Sequence, residues 1–110
     1  MGKLLYGSMK SEIALDDRVL AHLQAVVSSK LRRGEGFFLN WHDDPAIGDG
    51  HSACWIGPGI PLFFKYFGSK PVELNRQWLE QLTMSANSNG GMQLTDEQSM
   101  SLTSPAQNGD

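Results

Sequence analysis

Six side chains that are able to bind a metal lie near the middle of the sequence. They are His42, His51, Cys54, Asp43, Asp44 and Asp49. Imidazole, thiolate and carboxylate groups are the usual ligands of zinc. Their spacing matches no recognised zinc motif, and His51 and Cys54, three apart on a strand, would point to opposite faces. The sequence therefore favours a polar loop beside a structural cysteine, and we expect no metal and no cofactor.

The same cysteine raises the question of nucleophilic catalysis. A thiol needs a nearby base, and the candidate bases are His22, His42 and His51. A lone cysteine within a predicted strand is more typical of a core residue. The glycine-rich turns also lack the form of a phosphate-binding loop, which opens a helix and is followed by lysine. We expect no catalytic residue, and the sequence favours a protein that is not an enzyme.

Length and composition indicate a single domain with an ordinary core. The chain has 110 residues, of which 40% are hydrophobic and 19% charged, and its net charge is −3. Such a charge gives no general attraction to nucleic acid or to an anionic membrane. No apolar run approaches the ~20 residues that span a bilayer, and no secretory signal is expected. With a single cysteine, the sequence predicts a cytoplasmic protein that does not bind membranes.

One long amphipathic helix is predicted between Asp16 and Gly36. Its apolar residues recur at three-, four- and seven-residue offsets, and they are Val19, Leu20, Leu23, Val26, Val27 and Leu31. Asp16 or Asp17 is expected to cap the first turn, and Gly34 offers a left-handed stop. A helix with one apolar face must pack on a sheet or on another helix.

Strands are predicted on both sides of this helix. Alternating apolar residues from Leu4 to Leu15 indicate a hairpin before it. After it, residues 37–42, 51–56 and 60–67 are predicted to form a three-stranded meander. The last of these is apolar on both faces, which indicates a central strand or a strand with one face on a partner.

A second helix and a short final strand complete the predicted domain. Ser69 and Pro71 are expected to start the helix, which continues with Leu74, Trp78, Leu82 and Ala86 at four-residue spacing. Residues 92–95 form the last strand. The resulting order is ββαβββαβ, an α+β domain over residues 1–95 with two helices packed on a mostly antiparallel sheet. The polar tail, 96–110, is expected to be disordered.

Two surfaces are predicted to bind partners. The first is basic, a candidate nucleic-acid surface made of Lys30, Arg32, Arg33, Lys70 and Arg76. Because the chain is acidic overall, binding there is expected to be weak. The second is apolar, an interface that includes Phe63, Tyr66 and Phe67, since the aromatic residues exceed what a small core needs. A homodimer and a complex with another protein both remain open.

Several stretches of the chain resemble a family of small, chiefly actinobacterial proteins of unknown function. They are residues 16–37, residues 74–94, the opening MGKLLYG and the segment WIGPGIPLFF. Some members carry the product name "ATP-dependent DNA ligase". Nucleotidyl transfer by a ligase needs a lysine in a Lys-x-Asp/Asn-Gly context, and none of the five lysines has it. The resemblance therefore implies at most an accessory role in DNA ligation or repair, and self-association is the leading prediction.

Overall fold

The computed structural model describes residues 2–42, 50–95 and 97. Within them the order of elements is ββαβββαβ, as predicted, and the α+β class is confirmed. The elements are Gly2–Tyr6 (β1), Ser11–Leu15 (β2), Asp17–Arg32 (α1), Phe37–His42 (β3), His51–Ile56 (β4), Leu62–Lys65 (β5), Arg76–Ala86 (α2) and Met92–Gln93 (β6). The predicted disordered tail, apart from residue 97, and the loop of residues 43–49 lie outside the described residues.

The described strands form two three-stranded sheets, ordered β2-β1-β5 and β4-β3-β6. In the first sheet β1 runs antiparallel to both neighbours, and in the second β6 runs parallel to β3. The predicted meander of three consecutive strands is therefore wrong, because β5 leaves its neighbours in sequence and pairs with β1. Strand β5 is also an edge strand of its sheet rather than a central one.

The chain divides into two compact units. The first unit comprises Met1–Gly36 and Ile56–Asn75, and the second comprises Phe37–Trp55 and Arg76–Asp110.

Helix α1 packs on strand β1 in the first unit. Leu4 of β1 is buried and lies opposite Ile13 and Phe64 in the neighbouring strands. The apolar stripe predicted for the helix is found, since Leu20, Leu23, Val26 and Val27 are all buried. Phe63 lies on the other face of the sheet, opposite Leu5 of β1, and is exposed.

The start of α1 departs in detail from what the sequence predicts, whereas its end agrees with the prediction. Asp16 is the N-cap residue, but its side chain makes no capping hydrogen bond. The Asp17 carboxylate instead accepts hydrogen bonds from the backbone N–H groups of Phe67 and Gly68. At the other end Gly34 adopts a φ of +72°, the left-handed stop that was predicted.

Helix α2 packs on β3 and β6 in the second unit. The buried apolar side chains of this unit are Phe37, Leu39, Trp78, Leu82, Ala86 and Met92. The indole N–H of Trp78 donates to the Thr95 hydroxyl. The spacing predicted for the buried face of the helix is thus confirmed for Trp78, Leu82 and Ala86.

The predicted start of the second helix is wrong by several residues. Ser69 and Pro71 lie in an irregular segment between β5 and α2, and the helix begins at Arg76. Side chains of α1 bond to the backbone of that segment at Phe67, Gly68, Glu73 and Asn75. These bonds stabilise an irregular path that local sequence signals do not indicate.

No helix among the described residues is both long enough and apolar enough to cross a membrane.

Candidate functional site

Strand β5 presents one set of backbone groups to its neighbour and the other set to the sheet edge. The N–H of Gly7 donates to the carbonyl of Pro61 at 2.9 Å, just beyond the opposed pair Tyr6 and Leu62. Hydrogen-bonded pairs alternate along an antiparallel ladder. The backbone of Phe63 therefore faces β1, whereas the N–H and C=O groups of Leu62 and Phe64 point away from it.

The sheet face opposite α1 is partly apolar. Phe63 is 59% exposed and lies directly opposite Leu5 of β1. Lys65 and Lys3 form the next opposed pair on this face, and the Lys3 ammonium lies 3.2 Å from the Glu12 carboxylate. Phe63 thus projects from an exposed face that has lysines on one side.

The other two predicted interface residues follow β5 and differ in their surroundings. Phe67 is 82% exposed, although its backbone N–H is held by Asp17. The Tyr66 hydroxyl donates to the Gln24 side chain of α1 at 2.6 Å. Partial burial, together with the nearby Asp17 charge, raises the pKa of Tyr66. Phe63 and Phe67 are therefore available for contact, whereas Tyr66 lies against the helix.

We define the β5 edge surface as the outward backbone of β5, from Leu62 to Lys65, with the exposed side chains of Phe63 and Phe67. Asp17 fixes the end of this surface, because one carboxylate receives two backbone hydrogen bonds, of 2.9 and 2.7 Å. Those bonds lower the pKa of Asp17. The edge is therefore held to α1 as well as to β1.

Two of the predicted basic residues are involved in ion pairs at the end of α1. Lys30 is only 6% exposed, and its ammonium lies 2.9 Å from the Glu35 carboxylate. Arg33 lies 3.7 Å from the same carboxylate. The hydrogen bond from Lys30 lowers the pKa of Glu35. Lys30 is thus a buried ion-pair partner, poorly placed to contact phosphate.

Three predicted basic residues remain, two in the first unit and one in the second. Arg32 is exposed in the last turn of α1. Lys70 is exposed two residues beyond Gly68, which is bonded to Asp17 in the first turn of the same helix. The 16 residues of α1 rise about 24 Å in all. Arg32 and Lys70 are therefore near opposite ends of the helix, while Arg76 is exposed at the start of α2.

Only part of the set of candidate metal ligands, for which the sequence favoured no metal, comes together among the described residues. The exposed rings of His42 and His51 lie edge to face, with their centroids 6.4 Å apart and their planes at 63°. Cys54 is half-buried further along β4, and burial raises its pKa, which disfavours the thiolate needed for ligation or attack. Within residues 2–42, 50–95 and 97, no three histidine, cysteine, aspartate or glutamate side chains form a metal-binding group. Asp43, Asp44 and Asp49 lie outside that part of the chain.

Two exposed features of the second unit were not singled out from the sequence. The rings of Phe38 and Trp55 pack edge to face, with centroids 5.2 Å apart, and are 49% and 46% exposed. Because side chains alternate between the two faces of a strand, Phe38 lies on the face away from the buried Phe37 and Leu39. This alternation was the signal in the sequence that could have identified Phe38 as exposed. An open groove of about 490 Å³ also runs along α2, lined by Arg76, Leu79, Glu80, Thr83 and Met84.

Comparison with known proteins identifies a family without a described activity. Neither a curated protein nor a solved structure matches this chain. The model of one family, described as "Domain of unknown function (DUF7882)", matches residues 1–97. That span includes every strand and helix described above, and the chain therefore belongs to the DUF7882 family.

Proposed function

We propose that this protein is a non-enzymatic interaction module that self-associates through the β5 edge surface. The observation that supports this most directly is the combination of an edge strand with an exposed aromatic side chain at its centre. Such an edge is a template for adding another strand. Phe63 then supplies apolar area that would otherwise stay in water.

The other edge of the same sheet is less suited to this role. Strand β2 carries the charged Glu12 on the face shared with Phe63, and its apolar residues Ile13 and Leu15 are half-buried. None of the large apolar side chains found exposed in the described residues belongs to β2. Strand β5 has one, and Phe67 follows it. The two edges therefore differ in what they offer a second strand.

The test is the molecular mass in solution, measured by light scattering over a range of concentrations. We expect the mass to rise toward a dimer in the micromolar range, because a short strand interface is small. Phe63→Glu should give a monomer, since the interface would bury a charged carboxylate in place of an apolar ring. Met9→Glu is the matched control, because Met9 is 90% exposed in the β1–β2 turn. A wild-type protein that stays monomeric at about 100 µM would overturn the proposal.

A second candidate function is a nucleic-acid-associated accessory role in DNA ligation or repair. It is favoured by the exposed Phe38–Trp55 pair, since aromatic rings stack with unpaired bases. It has less support from charge, because Lys30 is buried and Arg32 and Lys70 are far apart. A ligase activity of the chain itself is not proposed, since no lysine has the required Lys-x-Asp/Asn-Gly context.

Titration with nicked, duplex and single-stranded DNA at low and near-physiological salt tests this alternative. An accessory role predicts a preference for one DNA form that survives at the higher salt. Replacing Arg32 and Arg33 with Ala should then flatten the salt dependence, and Trp55→Ala should weaken binding. Phe63→Ala serves as the control for loss of an exposed aromatic side chain. Binding that disappears at physiological salt would remove this candidate.

We also infer an actinobacterial source and a cytoplasmic location. The first is supported by the resemblance of MGKLLYG and WIGPGIPLFF to the actinobacterial family. The second is supported by cysteine usage. A single cysteine cannot form an internal disulfide, and proteins of reducing compartments usually have none. Detection of the protein in the soluble cytosolic fraction of its host, with an antibody, would test the location.

A further inference from the structure

We infer that two copies of the chain pair antiparallel through β5 in one register, with Phe63 facing Phe63 of the second copy. This inference rests on the proposed self-association and adds to it the arrangement of the strands. The argument uses the direction of the backbone groups, the side chains on each face and the position of one charge.

The backbone restricts the registers that are available. Only Leu62 and Phe64 within β5 direct their N–H and C=O groups outward. A second antiparallel β5 completes hydrogen bonds only where an outward residue lies opposite another outward residue. Pairing Leu62 of each copy with Phe64 of the other uses all of these groups and gives about four interchain hydrogen bonds. Phe63 then lies on the two-fold axis in a pair without interchain hydrogen bonds.

Side chains favour this register over its neighbours. It places the two Phe63 rings on the same sheet face at the closest cross-strand distance, and aromatic cross-strand pairs are stabilising. Because Phe63 also lies opposite Leu5 of its own sheet, an apolar row Leu5–Phe63–Phe63–Leu5 crosses the joined sheets. Lys65 lies opposite Pro61 of the second copy. A shift of two residues would instead place Phe63 opposite Lys65 or Pro61 of the second copy, and the aromatic pair would be lost.

The same pairing uses the other face of β5. Leu62 and Phe64 are half-buried on the side of α1. Across the new interface, Leu62 of each copy would contact Phe64 of the other. The register thus covers apolar atoms on both faces of the edge strand. A second copy is the occupant that satisfies these conditions at once, since the pattern of β5 is complementary to itself.

Disulfide trapping in a Cys54→Ser background tests the register. Opposed residues without interchain hydrogen bonds have Cα atoms about 4.5 Å apart, within the range for a disulfide. Phe63→Cys should therefore cross-link at least about tenfold faster than Lys65→Cys, whose two copies would be about 14 Å apart. Met9→Cys, on a more exposed residue, is the control for random collision.

A second trap keeps Phe63 in place. A mixture of Lys65→Cys and Pro61→Cys chains should form the mixed disulfide faster than either homodisulfide, because these positions oppose each other. Preferential Phe63 and Lys65–Pro61 cross-links would support the register. Light scattering could show a dimer that forms neither of these cross-links, or one that cross-links best between two Lys65→Cys chains. Either result would overturn the register but not self-association. A monomeric protein would overturn both.

Discussion

The Nε2 atom of His22 accepts a hydrogen bond from the backbone N–H of Asn75 at 2.7 Å. The Nδ1 atom of the same ring lies 2.7 Å from the Arg18 carbonyl oxygen. Because a carbonyl only accepts, Nδ1 carries the proton and the ring is the neutral Nδ1–H tautomer. The imidazole is fully buried. His22 is thus a structural residue that joins α1 to the irregular segment before α2.

Replacing His22 with Ala should destabilise the protein by about 2–4 kcal/mol, through a cavity in the core and the loss of the hydrogen bond from the Asn75 N–H. Urea unfolding followed by circular dichroism would measure the loss. His51→Ala is the control, since that histidine is exposed on β4 and its removal should change stability by less than about 0.5 kcal/mol. Equal effects of the two substitutions would contradict the role assigned to His22.

Asp17→Asn should lower the melting temperature, because an amide supplies one acceptor oxygen and one NH2 donor where two backbone N–H groups need acceptors. Asp16→Asn is a closely matched control, since Asp16 precedes it and makes no side-chain capping bond. Thermal melting of the two variants at neutral pH measures the difference. The assignment fails if Asp16→Asn is the more harmful change.

The Asp17 carboxylate should also contribute to the loss of stability at low pH. Hydrogen bonds from Phe67 and Gly68 lower the pKa of Asp17 in the folded state. Its contribution is therefore complete above the unfolded value of about 3.9 and is lost as the pH falls through the depressed folded value. The melting temperature of wild type should approach that of Asp17→Asn on acidification. A constant gap between the two proteins from pH 7 to pH 2 would contradict this.

Local patterns in the sequence predicted much of the fold. Strand alternation located β3 and β4, helical spacing located α1 and the buried face of α2, and Gly34 marked the end of α1. The pairing of β5 with β1 was missed because these strands are far apart in the sequence, and chain order favoured a meander. The start of α2 was missed for a related reason, since Asp17 and His22 bond to the backbone of a segment about 50 residues away.

The candidate surfaces show the same limit. Phe63 and Phe67 were identified from an apolar run, but strand alternation alone could not assign Tyr66 to the side of α1. Lys30 was grouped with the exposed basic residues because it lies in the last turn of the helix. Its burial and its 2.9 Å contact with Glu35 depend on the path of the chain after Gly34, which no helical pattern describes.

Gly91→Ala should destabilise the second unit by about 2–4 kcal/mol. Gly91 has a φ of +87°, and an added Cβ would lie 2.5 Å from the Phe38 carbonyl oxygen. Both the left-handed backbone and the overlap are costly. Gly90→Ala is the control, because a Cβ there meets nothing within 4 Å. Denaturant unfolding of the two variants should separate them, and a neutral Gly91→Ala would show that β6 can shift away from β3 without loss.

Cys54 should react slowly with iodoacetamide at neutral pH. Burial raises the pKa of its thiol, and only the thiolate is an effective nucleophile. The rate should therefore rise with pH to a midpoint above that of an unperturbed cysteine, and unfolding in urea should restore ordinary reactivity. Mass spectrometry of the alkylated protein over time gives the rate, with a Cys54→Ser, Met9→Cys variant as an exposed control. Faster reaction of Cys54 than of that control at pH 7 would indicate an activated thiol and would reopen a catalytic role for Cys54.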